Sequence, residues 1–172
     1  MDSTTITTPV GPFTIIGHGK KVLAAGFTED VDCLSALIPA EIRRDAAADD
    51  TTDTDLGPAV AAVRAYFDGD VEAIDAVEVE QHGAGEFIDE AWRVMRDVAP
   101  GETVTYTDFA QRTGRPAAVR AAASACARNP AALFVPCHRI VRTDGGLGGY
   151  RYGLEIKRWL RRHEARAAET RS

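Results

Sequence analysis

Over the first 27 residues the apolar positions fall in short β-branched runs separated by turn residues, a pattern that predicts a small sheet. Residues 4–8 form the first run, Pro9-Val10-Gly11-Pro12 reads as a turn, and residues 13–16 form the second. A Gly17-His18-Gly19-Lys20 loop then returns the chain through residues 22–27. Residues 44–55 are polar, acidic and low in complexity, which predicts a surface loop or linker. From Leu56 the period lengthens to a helical one. Ala59, Val60, Val63 and Phe67 mark an apolar face that stops at Asp68-Gly69-Asp70.

Phe87 opens a second helix, with Ile88, Ala91, Trp92, Met95 and Val98 at helical spacing and Pro100-Gly101 as its stop. Trp92 and Met95 read as core residues. Residues 103–105 are a short β-branched stretch, and Thr107-Asp108 offers a cap for a short helix through Gln111. Thr113-Gly114-Arg115-Pro116 is a turn, and Pro116 suits the start of a further helix through about Ala127. Helix, glycine turn, helix is the outline of a helix-turn-helix. The second helix is nearly bald: Ala117, Ala118, Ala121, Ala122, Ala123, Ser124 and Ala125 surround one long cation, Arg120. Such a surface has little with which to read base edges in a major groove. It suits either close approach to a narrow groove with one inserted side chain, or tight packing between neighbours.

Composition sets the class. The 172 residues are 45% hydrophobic and 27% charged, as in an ordinary globular protein. No apolar run is long enough to span a membrane, and the N-terminus lacks the basic start and apolar stretch of a secretory signal. No membrane association and a cytoplasmic location are therefore expected, and nothing demands more than a monomer. Cys33, Cys126 and Cys137 are odd in number and far apart, which argues against a disulfide framework or a thiolate zinc site. Cys33 and Cys126 are expected to be small buried hydrophobes. The net charge of −6 discourages a nucleic-acid partner until its distribution is read. Residues 1–91 carry 5 Lys and Arg against 19 Asp and Glu, whereas residues 92–172 carry 15 against 7. Fourteen of those 15 cations are Arg, the side chain suited to phosphate and base contacts. One half has the charge to touch a polyanion and the other does not.

The chemistry concentrates in Pro136-Cys137-His138-Arg139-Ile140-Val141. A cysteine beside a histidine suggests thiol activation, because the thiolate is the nucleophile. Adjacent side chains on an extended chain point to opposite faces, so either the backbone turns here or a water joins Cys137 to His138. An acid on the final helix would orient the imidazole.

This core, with Asn129-Pro130 before it and Gly148-Gly149-Tyr150-Arg151-Tyr152-Gly153-Leu154 after it, resembles the O6-alkylguanine-DNA alkyltransferase family. Gly101-Glu102-Thr103-Val104-Thr105-Tyr106, Lys157-Arg158-Trp159-Leu160 and His163-Glu164 extend the resemblance over about residues 86–165. The opening residues 8–13 and Tyr66-Phe67-Asp68-Gly69 match more loosely. The resemblance implies an α+β chain: a small ribonuclease-H-like α/β domain over residues 1–82, then a mostly helical domain with the helix-turn-helix over residues 83–172. It implies a single-use methyltransferase that moves an alkyl group from O6-alkylguanine in double-stranded DNA to Cys137, with the base rotated out of the duplex.

In that scheme His138 takes the thiol proton through a bound water, Glu164 holds the imidazole, and Asn129 braces the turn before the active-site strand. Arg120 replaces the rotated nucleotide from the minor groove, which accounts for the bald helix. Tyr106 donates to the base, Tyr150 lines the pocket, and the backbone at Val135, Ile140 and Arg151 reads the guanine edge. No metal and no cofactor are implied: some members hold zinc in the first domain, but His18, Cys33 and His82 are poorly spaced for it. Arg151 stands where some relatives have a small hydroxyl residue, which bears on the alkyl groups that fit. The alternatives are a protein that recognises alkylated bases without transfer, for which the cysteine is superfluous, and a thiol hydrolase, for which no oxyanion hole is marked. A plain helix-turn-helix regulator would have too little on its second helix to specify a sequence.

Overall fold

The computed structural model describes residues 1–50 and 53–171. Strands β1 (Asp2–Thr8), β2 (Gly11–His18) and β3 (Lys21–Gly26) form an antiparallel meander in sequence order. The turn is tighter than the sequence suggests. Thr8 pairs with Gly11, so Pro9 and Val10 alone cross over and Gly11, at φ 114°, supplies the backbone conformation a side chain would resist. One sheet face, with Phe13, Ile15, Val22 and Ala25, joins a core that runs into the second half of the chain.

The other face packs Ile16, Leu23 and Ala24 against Leu34, Ile38, Ile42 and Ala46. Those last residues lie on or beside two helices that the sequence reading did not find, α1 (Val31–Leu37) and α2 (Ala40–Ala48). Residues 44–48 are thus the end of a helix and not a linker, while residues 51–52 of that segment lie outside the described residues. Ile42 and Ala46, one turn apart, are buried; the surrounding acids and arginines face outward and conceal the period. Asp30 caps α1 by accepting from the Cys33 amide at 3.0 Å, and the Cys33 thiol also contacts that carboxylate. Cys33 is exposed, not a core residue.

Helix α3 (Gly57–Phe67) buries Ala59, Ala62, Val63 and Tyr66, so the stripe ends on Tyr66 and Phe67 sits at its edge. Helix α4 (Glu86–Arg96) buries Ile88, Ala91, Trp92 and Met95 as their spacing predicts, and Trp92 Nε1 donates to the Ala125 carbonyl at 2.9 Å. Helix α5 (Tyr106–Arg112) begins earlier than expected because Thr105 is its cap. The Thr105 hydroxyl accepts from the Asp108 amide at 3.1 Å, and the Asp108 carboxylate accepts from the Thr105 amide. Helix α6 (Val119–Ala127) begins three residues after Pro116, since residues 115–118 close a turn. The helix-turn-helix outline stands with these shifted ends.

Strand β4 (Val104–Thr105) pairs in parallel with β5 (Ile140–Val141), which fastens the Cys137 segment to the start of α5. The long α7 (Leu154–Arg171) closes the second half. The halves also meet through backbone: the Ala25 amide donates to the Pro130 carbonyl and the Ala132 amide to the Ala25 carbonyl. No helix among the described residues is long and apolar enough to cross a membrane.

Candidate active site

Residues 131–135 are not a strand. They form a buried turn in which Leu133 has φ 74°, a left-handed conformation that costs a non-glycine residue about 1 kcal/mol or more. Complete burial of the Leu133 side chain offsets that cost by about 2 kcal/mol. Asn129 holds the turn. Its Nδ2 donates to the Val135 carbonyl at 2.8 Å, and its Oδ1 accepts from the Ala131 amide at 3.0 Å and from Gln81 Nε2 at 3.3 Å.

The chain then makes one 3-10 turn over Cys137–Arg139. Of the two expected devices at Cys137 and His138, the backbone turn is present, and His138 Nδ1 makes no direct hydrogen bond to the thiol. The cysteine lies on a cavity wall and the histidine behind it in the core. His138 Nε2 meets Glu164 Oε1 at 2.6 Å, while its Nδ1 is buried and has no hydrogen-bond partner among the described residues. Glu164 is heavily committed. It accepts from Arg139 Nε at 3.0 Å, from Arg139 Nη2 at 3.0 Å and from the Tyr66 hydroxyl at 2.9 Å. Arg139 Nη1 donates in turn to the Val98 carbonyl at 2.6 Å.

Electrostatics follow from these contacts. Burial opposes the Glu164 charge, but His138 and Arg139 outweigh it and hold the carboxyl well below the usual range. Burial pushes the His138 pKa down against the pull of Glu164, so the imidazole rests neutral and able to accept a proton. Burial also pushes the Cys137 thiol up, opposed by Asn129, Lys157 and Arg151. The resting group is therefore a thiol that needs a base, and the next residue in the chain is a neutral one.

The cavity in front of Cys137 has a volume of about 570 Å³. Tyr106, Cys126, Asn129, Tyr150, Arg151 and Tyr152 are on its wall. Burial raises the Tyr106 hydroxyl to about 12, so it stays a hydrogen-bond donor. A Cβ on Gly148 would come within 2.9 Å of that hydroxyl, and Gly148 has φ 73°, so the loop approaches Tyr106 only as glycine. Arg151 Nη2 donates to the Ala127 carbonyl at 2.8 Å, tying the pocket loop to the end of α6. Arg120 is exposed on the first turn of α6, away from the cavity wall.

Two predicted readers of the base do not line the cavity. Val135 and Ile140 are fully buried behind it. The Val135 carbonyl already accepts from Asn129 Nδ2 and the Cys137 amide, which uses both lone pairs, and that of Ile140 accepts from Lys157 Nζ at 2.8 Å. The sequence reading missed Lys157, a buried ammonium that also donates to the Leu147 and Gly149 carbonyls at 2.5 and 3.1 Å. No local pattern signals it, because a lysine in a charged helix reads as solvated. Tyr66 and Arg139 were missed as partners of Glu164, and Cys126 is a wall residue and not a core filler.

Two family models match in tandem: the ribonuclease-like domain of 6-O-methylguanine DNA methyltransferase over residues 1–81, and its DNA binding domain over residues 86–166. The methylated-DNA–protein-cysteine methyltransferase of Shigella flexneri is 31% identical over 160 residues, 92% of each chain. The chain belongs to the 6-O-methylguanine DNA methyltransferase family. Within that family, the crystal structure of Mycobacterium tuberculosis OGT in complex with DNA superposes with a TM-score of 0.75 at 29% identity, covering 96% of this chain and 93% of that one. The bifunctional transcriptional activator and DNA repair enzyme Ada of Escherichia coli is 49% identical over 83 residues, but the match spans 48% of this chain and 23% of Ada. The ribonuclease-like part of the family corresponds to the meander with its helices, and the DNA-binding part to the half that carries the cavity.

Proposed function

We propose that the protein performs direct-reversal DNA repair, in which the Cys137 sulfur takes the alkyl group from O6-alkylguanine in double-stranded DNA. One observation carries this reading. A cysteine lies on the wall of a cavity with ample room for a base, and the neutral imidazole next in the chain has its far nitrogen held by a buried carboxylate. His138 accepts the thiol proton at Nδ1 through a bound water, and Glu164 stabilises the imidazolium that forms. The thiolate attacks the saturated carbon, and the C–O bond breaks with its electron pair to guanine. The thioether product has no hydrolytic exit, so each molecule acts once.

Chemistry on a base inside a duplex requires that base to leave the stack. In this reading Tyr106 donates to the rotated base, Tyr150 closes the pocket, and the Arg151 backbone reads the guanine edge. Arg120 fills the gap in the duplex from the minor groove, reached by the small residues of α6. The protein acts as a monomer in the cytoplasm, without a cofactor, and residues 83–172 form the DNA-binding unit. The test is an intact-protein mass spectrum after mixing with a duplex that carries one O6-methylguanine. A gain of one methylene per protein, saturating there and absent in Cys137→Ser, is expected. Lesion binding without any gain, or repeated turnover, would overturn the reading.

A further inference from the structure

Cys126 has no part in the transfer just described, yet it stands on the same cavity wall as Cys137. It lies on α6 with Ala123 and Ala127, at i−3 and i+1, as its cavity-side neighbours. Neither is large enough to cover a thiol. The other polar wall groups are poor nucleophiles toward carbon. Asn129 and Arg151 are not nucleophilic, and burial keeps the Tyr106, Tyr150 and Tyr152 phenols protonated. Cys126 is the soft nucleophile that remains once Cys137 has reacted. Until then it is silent: burial keeps its thiol far up the scale.

We propose that Cys126 is a second modification site, which captures bifunctional alkyl groups that Cys137 has first taken from guanine. The inference rests on the acceptor reading of Cys137 and narrows it to one substrate class, the O6-(2-haloethyl)guanines. Transfer of a 2-chloroethyl group forms the Cys137 S–C bond and breaks the guanine C–O bond, leaving a 2-chloroethyl thioether. The thioether sulfur displaces chloride, which departs with its electron pair, and a three-membered sulfonium ring results. The Cys126 sulfur attacks one ring carbon, the ring C–S bond breaks with its pair returning to the Cys137 sulfur, and the thiol proton passes to water. The product is an ethylene bridge between two thioethers, with hydrogen chloride lost overall. A thiol held within one cavity reacts at an effective concentration far above that of any free nucleophile, which favours the bridge over hydrolysis.

Trypsin supplies the readout, because cleavage after Arg120, Arg128 and Arg139 places the two cysteines in separate, adjacent peptides. The full protein is mixed with a duplex bearing freshly made O6-(2-chloroethyl)guanine, digested, and sequenced by mass spectrometry. The expected result is peptides 121–128 and 129–139 joined by an ethylene bridge, with the intact mass short of the first adduct by one hydrogen chloride. The bridge should disappear in Cys126→Ser and persist in Cys33→Ser. A first adduct on Cys137 that ends as hydroxyethyl, or as a link to DNA, with the two peptides separating, overturns the inference alone. Absence of any adduct on Cys137 overturns the acceptor reading, and the inference with it.

Discussion

Residues 1–82 and 83–172 differ both in charge and in their distance from the chemistry. The first stretch is strongly acidic and places no side chain on the cavity wall, whereas the second is basic and supplies the whole lining. The sheet-bearing half acts at one remove. Tyr66 from α3 donates to Glu164, Gln81 donates to Asn129, and the edge of β3 hydrogen-bonds with the turn after Asn129. Gly26 of β3 lets Tyr152 lie against the strand, since a Cβ there would strike the Tyr152 ring. A half with no side chain on the cavity wall can therefore still fix where the groups at and behind that wall stand. In the mechanism proposed above, the reacting groups all come from elements of the other half.

The largest effect expected comes from inside the basic half. Glu164→Ala leaves Arg139, only 1% exposed, as a buried cation without its carboxylate. Breaking such a pair costs about 3–5 kcal/mol, a large share of the roughly 5–15 kcal/mol that hold a typical domain together. Urea unfolding should show the loss, and alkyl transfer should fall with it because His138 loses its anchor. A variant that unfolds like the parent would mean that Arg139 finds other partners and that the cluster is not the keystone of this half.

Tyr66→Phe tests whether the acidic half matters to the site at all. It deletes one hydrogen bond to an ionised group, worth about 1.5–3 kcal/mol, and little volume. Stability should fall by about that amount, and transfer should slow without stopping, since Arg139 and His138 still hold Glu164. If both stay at parental values, the first half is a shell, and the asymmetry between the halves is complete.

What the sequence disclosed follows the same division. Helix α4 was legible because Ile88, Ala91, Trp92 and Met95 repeat a helical period without interruption. Helices α1 and α2 were not, because each buries one or two apolar residues amid acids, too few to mark a face. Cys137, His138 and Glu164 could be named because their motifs are short and contiguous. That His138 and Glu164 meet at 2.6 Å depends on α7 returning past the 3-10 turn, which no local pattern states. Lys157 stayed hidden for the opposite reason. A lysine in a charged helix looks solvated, and only the three carbonyls around it show that it is buried.

The smallest effect expected is also the most direct measure of the charge asymmetry. If the basic half alone meets the phosphates, neutralising exposed cations there should change the salt dependence of DNA binding, and neutralising acids in the first half should not. Each phosphate contact contributes about 0.9 to the slope of log affinity against log salt on duplex DNA. Arg128→Gln, exposed just beyond α6, should reduce the slope by about one contact, while Glu29→Gln, exposed in the first half, should leave it unchanged. Fluorescence titration of an unmodified duplex at several salt concentrations resolves the difference without any chemistry at Cys137. A slope that shifts equally in both variants would mean that the acidic half lies within a Debye length of the bound duplex. The two halves would then share the electrostatics of binding, with the acids acting as a brake that keeps undamaged DNA loosely held.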